Sequence, residues 1–344
     1  MSTVVANYDG PLFLVVAKSF YNQAIIKEIS SFPLPTEYYV AHFPLYPFLI
    51  RIVGTITNFP YAMLFVTLIS SFLAIYFFYL LIKKYVKGAN ALWITAVFAV
   101  FPARWLIVRS VGSSEPLFIA GIIASIYYFQ KKNYLLAAIW GVVAQLTKSP
   151  GILLFIAYVG AILTPEVKRL ATNNLDQWIP SLKLKQYLPL LLMPLSLVAL
   201  FVFYQIRMGD FLAYFRSGDN IHLFFPPFQI FNYSAPWVGT FWLEEVIFVY
   251  LFGILGLMRL IQKKEVVLAW FVGIFFLSTL FVSHRDIIRY SLPMVPFLYV
   301  AFSDVVIKKE FKVAMAILII PIYLFSLAYI SQNVMPVANW APLL

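Results

Sequence analysis

Ten apolar segments follow one another from residue 60 to residue 331, separated by short stretches that contain charged residues, proline or glycine. Only 11% of the residues are charged, whereas a soluble domain carries about 25%. Such a chain cannot cover itself with polar surface, and a bilayer span needs about 20 mostly apolar residues. The sequence therefore predicts an all-α polytopic membrane protein with about ten transmembrane helices. The predicted spans are 60–82, 91–103, 115–129, 134–147, 151–163, 187–207, 243–261, 266–283, 291–306 and 313–331.

Several of these spans are short. A helix over residues 91–103 would rise only about 20 Å, and the hydrocarbon core of a bilayer is about 30 Å thick. Either the boundaries are drawn too tightly, or some helices end at membrane depth around a cavity. A cavity is one of the few settings in which non-helical backbone is tolerated at that depth.

The lysines are distributed unequally over the loops that these spans define. Alternate loops contain Lys83, Lys84, Lys87, Lys131, Lys132, Lys168, Lys183, Lys185, Lys263, Lys264, Lys308, Lys309 and Lys312. The remaining loops keep only Lys18, Lys27 and Lys148. Positive residues retain loops in the cytoplasm, so the lysine-rich set is predicted to be cytoplasmic. This distribution also accounts for the net charge of +11, and we expect no nucleic-acid partner.

The rest of the chain is then predicted to be exoplasmic, and the whole chain a single membrane domain. Residues 1–59 would form an exoplasmic loop with interfacial helices, 60–331 the transmembrane bundle, and 332–344 an exoplasmic tail. An exoplasmic start without a signal peptide or a preceding span is difficult to insert, so we expect a further span upstream of residue 1. Residues 12–29 are polar only at 18–19, 22–23 and 27–28, which predicts one amphipathic helix in the membrane interface that holds Asp9 at the surface.

Most ionisable groups outside the lysine-rich loops fall on the predicted exoplasmic side, where such groups at membrane depth are functional candidates. They include Asp9, His42, Arg104, Arg109, Glu115, Lys148, Asp210, Asp219, His222, His284, Arg285, Asp286 and Arg289. The chain has no cysteine, which excludes disulfides, cysteine zinc sites and a thiol nucleophile.

Each candidate also has a structural interpretation. Asp9 and Glu115 stand where a helix would start. Arg104 and Arg109 flank apolar residues, as anchors at the membrane interface do. Lys148 could be a turn residue whose side chain extends to the membrane surface. The segment 284–290 suits an internal ion-pair network. Asp210, Asp219 and His222 are expected to be solvated in a long loop.

Several segments resemble membrane glycosyltransferases of the GT-C superfamily, and they occur in the same order along nearly the whole chain. Within that superfamily they are most similar to the PIG-V branch (GPI mannosyltransferase 2 and its prokaryotic relatives). The first loop of that family is similar to "YDGPLFLVVAKSFY" (8–21) and "HFPLYPFLIRIV" (42–53). The later segments are "SSEPLFIAGIIASIYYF" (113–129), "WGVVAQLTKSPGILL" (140–154), "MGDFLAYFRS" (208–217) and "RYSLPMVPFLYV" (289–300). Two departures stand out: the family has a span before the aspartate loop, and its relatives carry arginine at the position of Lys148.

The resemblance implies an inverting transferase that moves a sugar, with mannose expected, from a polyprenyl- or dolichyl-phosphate donor to a lipid-linked or other exoplasmic acceptor. Asp9 would be the general base, and Glu115 would orient the acceptor or a metal. The donor phosphate would meet Arg104, Arg109, Lys148, Arg285 and Arg289. His42, Tyr46 and Asp286 would contact substrate.

The resemblance further implies a plasma-membrane protein in a prokaryote, or an endoplasmic-reticulum protein in a eukaryote, with membrane lipids as partners. No D-x-D pair is present, so the sequence indicates no metal site, although a divalent ion stays open as a cofactor.

Two other functions fit a chain of this kind. A transporter or lipid flippase would also have about ten spans with buried charge. Such a protein would be expected to contain internal repeats and to carry polar groups on both sides of the membrane midplane. No repeat is visible, and the charged motifs are one-sided. A non-catalytic relative of the GT-C enzymes is the other alternative, and it predicts that Asp9 can be replaced without consequence.

Overall fold

The computed structural model of the protein describes residues 2–171, 184–218, 223–235, 242–284 and 286–344. Within these ranges it is built from helices, and extended pairing is limited to two isolated β-bridges, Asn7 with Val334 and Leu223 with Val282. The α-helices are α1 Ser2–Val5, α2 Gly10–Ser19, α3 Gln23–Ile29, α4 Leu45–Gly54, α5 Phe59–Ile82, α6 Ala89–Val100, α7 Ala103–Val108, α8 Glu115–Gln130, α9 Tyr134–Thr147, α10 Ile152–Ala171, α11 Leu192–Met208, α12 Ala213–Arg216, α13 Trp242–Gln262, α14 Val266–Leu280, α15 Ile287–Ser291, α16 Val295–Ala301, α17 Ser303–Val306 and α18 Lys309–Gln332.

The ten predicted spans coincide with helical segments, so the predicted all-α architecture is confirmed. Three segments among the described residues, Phe59–Ile82, Leu184–Met208 and Lys309–Gln332, are long and apolar enough to cross a membrane by length and composition. The predicted span 291–306 is a chain of short helices, α15 to α17, joined by a 3₁₀ turn at Leu292–Met294. Pro293 and Pro296 interrupt regular helical hydrogen bonding there.

Helix α8 lies at the centre of the bundle, packed between α5 and α9 and buried along almost its whole length. Small residues allow this close approach. A side chain added at Gly121 would come within 2.9 Å of the Ala144 backbone nitrogen on α9. The N-terminus of α8 places Glu115 inside the protein, so this packing positions part of the site.

The short helices α6 and α9 end close to residues that line a cavity, as the second of the two explanations expects. Helix α6 stops at Val100, before Pro102, and α7 follows at once with Arg104. Helix α9 stops at Thr147, where the backbone of Lys148 becomes extended (φ −150°, ψ 145°) before α10 begins. Phe101 precedes Pro102 and is extended, because a residue before proline disfavours the helical conformation. Each break places a basic side chain, Arg104 or Lys148, on the cavity wall.

The predicted single helix over residues 12–29 is two helices in the structure. Phe20 and Tyr21 adopt positive φ angles of 45° and 63°, and the Asn22 side chain caps α3 by accepting from the backbone of Ala24 and Ile25. Neither glycine nor proline marks this break in the sequence. Every residue of α2 except Lys18 is buried, so α2 is a core helix and does not present the predicted polar stripe.

The lysine-rich loops meet at one end of the bundle. Lys84 Nζ donates to Gln130 Oε1 over 2.6 Å, and the Tyr85 hydroxyl donates to Glu265 over 2.8 Å. Lys312 reaches Asn90 in the same region. Three of the five predicted lysine loops are therefore in contact, and the 308–312 loop adjoins them. Much of the remaining one, residues 172–183, lies outside the described residues.

Candidate active site

Asp9 occupies a tight turn between α1 and α2. The Gly10 backbone N–H donates to the Asn7 carbonyl over 3.0 Å, and Tyr8 adopts a positive φ of 48°. Asp9 stands at the N-cap position of α2, but its side chain makes no capping hydrogen bond. Its carboxylate instead lies 3.6 Å from Arg289 Nη1. The interpretation of Asp9 as a helix cap therefore finds no support in its contacts.

Arg289, on α15, is the centre of the charged cluster. Its guanidinium lies within 3.7 Å of three carboxylates, those of Asp9, Glu115 and Asp286. The closest contact, 2.9 Å from Nε to Asp286, is ionic, because the N–H is too poorly aligned for a hydrogen bond. The guanidinium also lies over the ring of Tyr8 at 4.5 Å. Arg289 therefore holds together carboxylates from three separate parts of the chain.

Arg104 extends this cluster from α7. Its Nη1 lies 3.6 Å from Asp286 Oδ1 and donates to the Tyr8 hydroxyl over 3.0 Å, while the guanidinium lies 4.0 Å from the centre of the Tyr329 ring. Burial raises the pKa of the Tyr8 phenol, and the Arg104 guanidinium offsets this only in part. Tyr8 is therefore neutral at physiological pH. Because its oxygen accepts from Arg104, its own proton can be donated into the cavity.

Glu115 and Lys148 form a second ion pair of the cluster. Lys148 Nζ and the Ser113 hydroxyl both donate to the Glu115 carboxylate, and Arg289 Nη1 lies 3.7 Å from it. Glu115 is buried, so its charge requires these partners. The pair joins the start of α8 to the break between α9 and α10.

The cluster opens into a cavity of about 770 Å³. Asp9, Arg104, Lys148, Asp286 and Arg289 all line it. The rest of its wall is rich in aromatic rings: Tyr8, Phe13, Tyr38, Phe43, Tyr214, Tyr290, Phe325 and Tyr329. A cavity with charged groups at one side and aromatic rings around it can orient a polar ligand that also has apolar faces.

A second cavity of about 200 Å³ adjoins the first one and is mostly apolar. The two cavities share Lys148, Ser149, Pro150, Arg289 and Tyr290. Beyond these, the smaller cavity is lined chiefly by apolar side chains of α8, α10 and α14, such as Phe118, Leu153 and Phe275. The basic residues thus stand where a polar space meets an apolar one.

The structure does not bring every predicted site residue to the larger cavity. The Arg109 guanidinium turns away and donates to the Ala99 carbonyl at the end of α6, so it satisfies a helix C-terminus. Tyr46 is fully buried, and its hydroxyl pairs with Thr67 over 2.7 Å. Its ring packs against Phe13, which does line the cavity.

The other candidates are distributed as follows. His42 lines the larger cavity, with its ring edge-on to Phe13 at 5.0 Å. Asp210 pairs with Arg216 over 2.9 Å outside the cluster. Arg285, Asp219 and His222 lie outside the described residues.

Several residues of the cavity wall were not predicted from the sequence. Ser114 and Glu245 line it, as do Tyr329 and the segment 332–335. Tyr8 also lines the cavity, and its position next to Asp9 in the sequence could have predicted this. Nothing in the sequence indicated that the C-terminal segment returns to the N-terminal loop.

Side-chain exposure separates the charged groups of the cluster. Asp9 is 35% exposed, whereas Asp286 is 13% and Glu115 7% exposed. Within the cluster, Asp9 is therefore the carboxylate most open to an entering hydroxyl group. Among the cations, Lys148 is 24% exposed and Arg104 14%, so Lys148 is the basic group most open to a ligand.

The three carboxylates of the cluster surround a guanidinium. Among the described residues, no group of three or more His, Asp or Glu side chains is arranged to hold a metal ion. The position that a cation would take between Asp9, Glu115 and Asp286 is filled by Arg289.

Comparison with known proteins relates the chain to others through its fold. No family model and no curated protein matches the sequence. Among solved structures, the fold is similar to that of ArnT from Cupriavidus metallidurans, whose crystal structure was determined bound to undecaprenyl phosphate. The match has a TM-score of 0.60 at 13% sequence identity and covers 92% of this chain.

At this identity the likeness establishes the fold. The chain is an all-α polytopic membrane protein with the architecture seen in ArnT, as the succession of apolar segments predicts. It spans 60% of the length of ArnT.

Proposed function

We propose that this protein is a glycosyltransferase of the GT-C type that moves a sugar from a polyprenyl-phosphate donor to a hydroxyl group of a lipid-linked or other glycan acceptor. The observation that carries this proposal is Asp9, the most exposed carboxylate of the charged cluster, on a cavity where cations stand beside an apolar pocket. The fold likeness to ArnT supports the GT-C assignment, and the undecaprenyl phosphate bound to ArnT supports the donor class.

The transfer is a single displacement. The acceptor oxygen forms a bond to the anomeric carbon while the bond from that carbon to the phosphate oxygen breaks. The hydroxyl proton passes to the Asp9 carboxylate, and the bonding electrons leave with the phosphate. A general base must lie within hydrogen-bond reach of the proton that it takes, and Asp9 is the carboxylate of the charged cluster whose exposure permits this. The anomeric configuration is inverted.

The leaving phosphate gains negative charge and needs cations that are already in place. Lys148 supplies the most accessible one, and Arg104 and Arg289 add positive charge behind it. The hydrocarbon chain of the donor enters the smaller cavity, which begins at Lys148 and Tyr290. A lipid phosphate thus has its charged group at the basic residues and its apolar chain against apolar side chains.

Glu115 acts through Lys148 in this proposal. Its carboxylate is buried and held by Lys148 and Ser113, so it sets the position of the ammonium group. Asp286 has the same relation to Arg104 and Arg289. His42 and the aromatic rings of the larger cavity contact the sugar and the acceptor.

The identity of the sugar and the orientation of the protein in the membrane are proposed from the sequence. Mannose and the PIG-V branch are proposed from the ordered motifs that begin with "YDGPLFLVVAKSFY". The cavity is proposed to open to the exoplasmic side, because the lysine-rich loops that mark the cytoplasm meet at the other end of the bundle.

The donor class is tested with the purified protein in liposomes. We expect label to pass to lipid or glycan from radiolabelled polyprenyl-phosphate mannose but not from a nucleoside-diphosphate mannose. Lys148→Met should raise the donor KM more than Lys148→Arg, because arginine keeps a cation for the phosphate. Lys132→Met, at an exposed lysine of the other end, is the matched control. Transfer only from the nucleotide donor, or no transfer from any polyprenyl-phosphate hexose by folded protein, would overturn the proposal.

A further inference from the structure

The C-terminal segment lies directly against the turn that carries Asp9. The side chain of Asn7 is fully buried between the two. Its Nδ2 donates to the Ile330 carbonyl over 2.7 Å, and its Oδ1 accepts from Asn333 Nδ2 over 3.1 Å. One amide side chain therefore joins the turn both to the end of α18 and to the segment after it.

Backbone contacts strengthen this junction. Asn7 and Val334 form an antiparallel bridge, and the Met335 N–H donates to the Ala6 carbonyl over 2.8 Å. Farther along, Leu343 is buried among residues of the N-terminal region, and Lys18 Nζ donates to the Pro342 carbonyl over 2.7 Å. The segment is thus attached to the N-terminal region at both of its ends.

The junction acts on the residue next to Asp9. The Asn7 carbonyl closes the turn by accepting from Gly10 N–H over 3.0 Å, and Tyr8 between them has a φ of 48°. A residue with a side chain adopts this left-handed conformation reluctantly, and such a conformation persists only where the surroundings impose it. The Asn7 contacts fix the residue that precedes Tyr8 in this turn.

We propose that Asn7 and the segment 333–335 are positioning elements for Asp9. They hold the strained turn so that the carboxylate points into the larger cavity. Asn333, Val334 and Met335 also form part of the wall of that cavity. This inference rests on the proposed function, because it assumes that Asp9 takes a proton from the acceptor. The alternative is that the junction only stabilises the fold.

A comparison of two asparagine substitutions separates these two roles. Asn7→Ala should lower kcat by about 10- to 100-fold, the scale on which a small misplacement of a catalytic group acts, while the donor KM stays within about 2-fold. Asn133→Ala is the matched control, since Asn133 caps α9 at the other end of the bundle. It loses a side-chain hydrogen bond and should keep the wild-type kcat.

A reversible crosslink supplies a test that does not depend on stability alone. The chain has no cysteine, and Asn7 and Val334 form a pair of the kind without mutual hydrogen bonds, whose Cα atoms lie about 4.5 Å apart. That separation is within the range that disulfides accept. In the variant Asn7→Cys with Val334→Cys, the reduced protein should show the low kcat of Asn7→Ala, and oxidation should restore most of the wild-type kcat. Val334→Cys alone should not respond to oxidation.

The outcomes are distinguishable from a failure of the proposed function. If the wild type transfers sugar and the Asn7 variants have the same kcat, or if oxidation changes nothing, the positioning role is overturned while the function stands. If the wild type transfers no sugar from any lipid donor, amide hydrogen exchange still decides the inference. Asn7→Ala should then speed exchange at Gly10 without speeding it in α9, and unchanged protection at Gly10 would contradict the proposal.

Discussion

At the scale of single residues, Arg289 determines how the charges of the cavity are arranged. It is only 7% exposed and lies within 3.7 Å of Asp9, Glu115 and Asp286. Removing one partner of a buried ionic group leaves the others uncompensated in a medium of low dielectric. The sequence assigned Arg289 to the donor phosphate. Its contacts indicate that it first of all keeps three carboxylates in one small volume.

Replacing Arg289 should therefore lower the temperature at which the protein unfolds, and it should also abolish activity. Arg289→Gln should cost about 3–5 kcal/mol, the usual cost of breaking a buried ion pair. Arg216→Gln, which removes an exposed arginine paired with Asp210, should cost at most about 1 kcal/mol. Thermal unfolding in detergent measures both. Equal midpoints for the two variants would contradict the central role of Arg289.

At the scale of structural elements, the turn between α1 and α2 is set by how closely these two helices approach. A Cβ atom at Gly10 would lie 2.0 Å from the Val5 carbonyl oxygen. No rotamer can relieve this contact, because the backbone of residue 10 fixes the Cβ position and the oxygen belongs to the backbone of Val5. Only glycine fits, and it lies next to Asp9. The sequence predicted the helix start here from the order Asp, Gly, Pro. It could not show that the glycine is required by contact with α1.

Gly10→Ala should consequently displace the Asp9 turn and abolish sugar transfer. Gly273→Ala in α14 is the matched control, since a Cβ there would meet Leu257 at an ordinary distance of 3.5 Å, and its activity should equal that of the wild type. Transfer by Gly10→Ala at the wild-type rate would mean that the turn can shift without moving Asp9.

The elements also show where prediction from sequence succeeds. The long apolar runs of α5, α11 and α18 could be located to within a few residues, because their composition leaves little alternative in a membrane. The break after α2 could not be found, since Phe20 and Tyr21 carry no turn signal. It is stabilised by distant residues: Arg207 Nε donates to the Phe20 carbonyl over 2.9 Å, and Arg51 Nη1 donates to the Lys18 carbonyl over 2.8 Å.

At the scale of the whole molecule, the cavity is assembled from parts that are far apart in the chain. Asn7 and Asn333, which form its junction, are separated by 326 positions. The sequence could assign Asp9, Arg104, Lys148, Asp286 and Arg289 to one side of the membrane from the lysine distribution. It could not indicate which of them are partners, nor that Arg109 leaves the group to bond Ala99, because those choices depend on three-dimensional packing.

The orientation of the molecule can be tested with single cysteines, because the natural chain has none. Tyr233→Cys, at a side chain that is 90% exposed, should react with a membrane-impermeant maleimide in intact cells. Lys132→Cys, in a lysine-rich loop, should react only after the membrane is opened. The reverse pattern would place the cavity on the cytoplasmic side.

In the proposed reaction Asp9 takes the proton in sugar transfer from a lipid phosphate, and a comparison of two carboxylates tests this role. Transfer from radiolabelled polyprenyl-phosphate mannose should be measured for the wild type, Asp9→Asn and Asp210→Asn. Asp9→Asn should lower kcat by about 100-fold or more, as loss of a general base does. Asp210→Asn, which removes a carboxylate outside the cavity, should retain the wild-type rate. Equal rates for all three proteins would remove Asp9 from the chemistry.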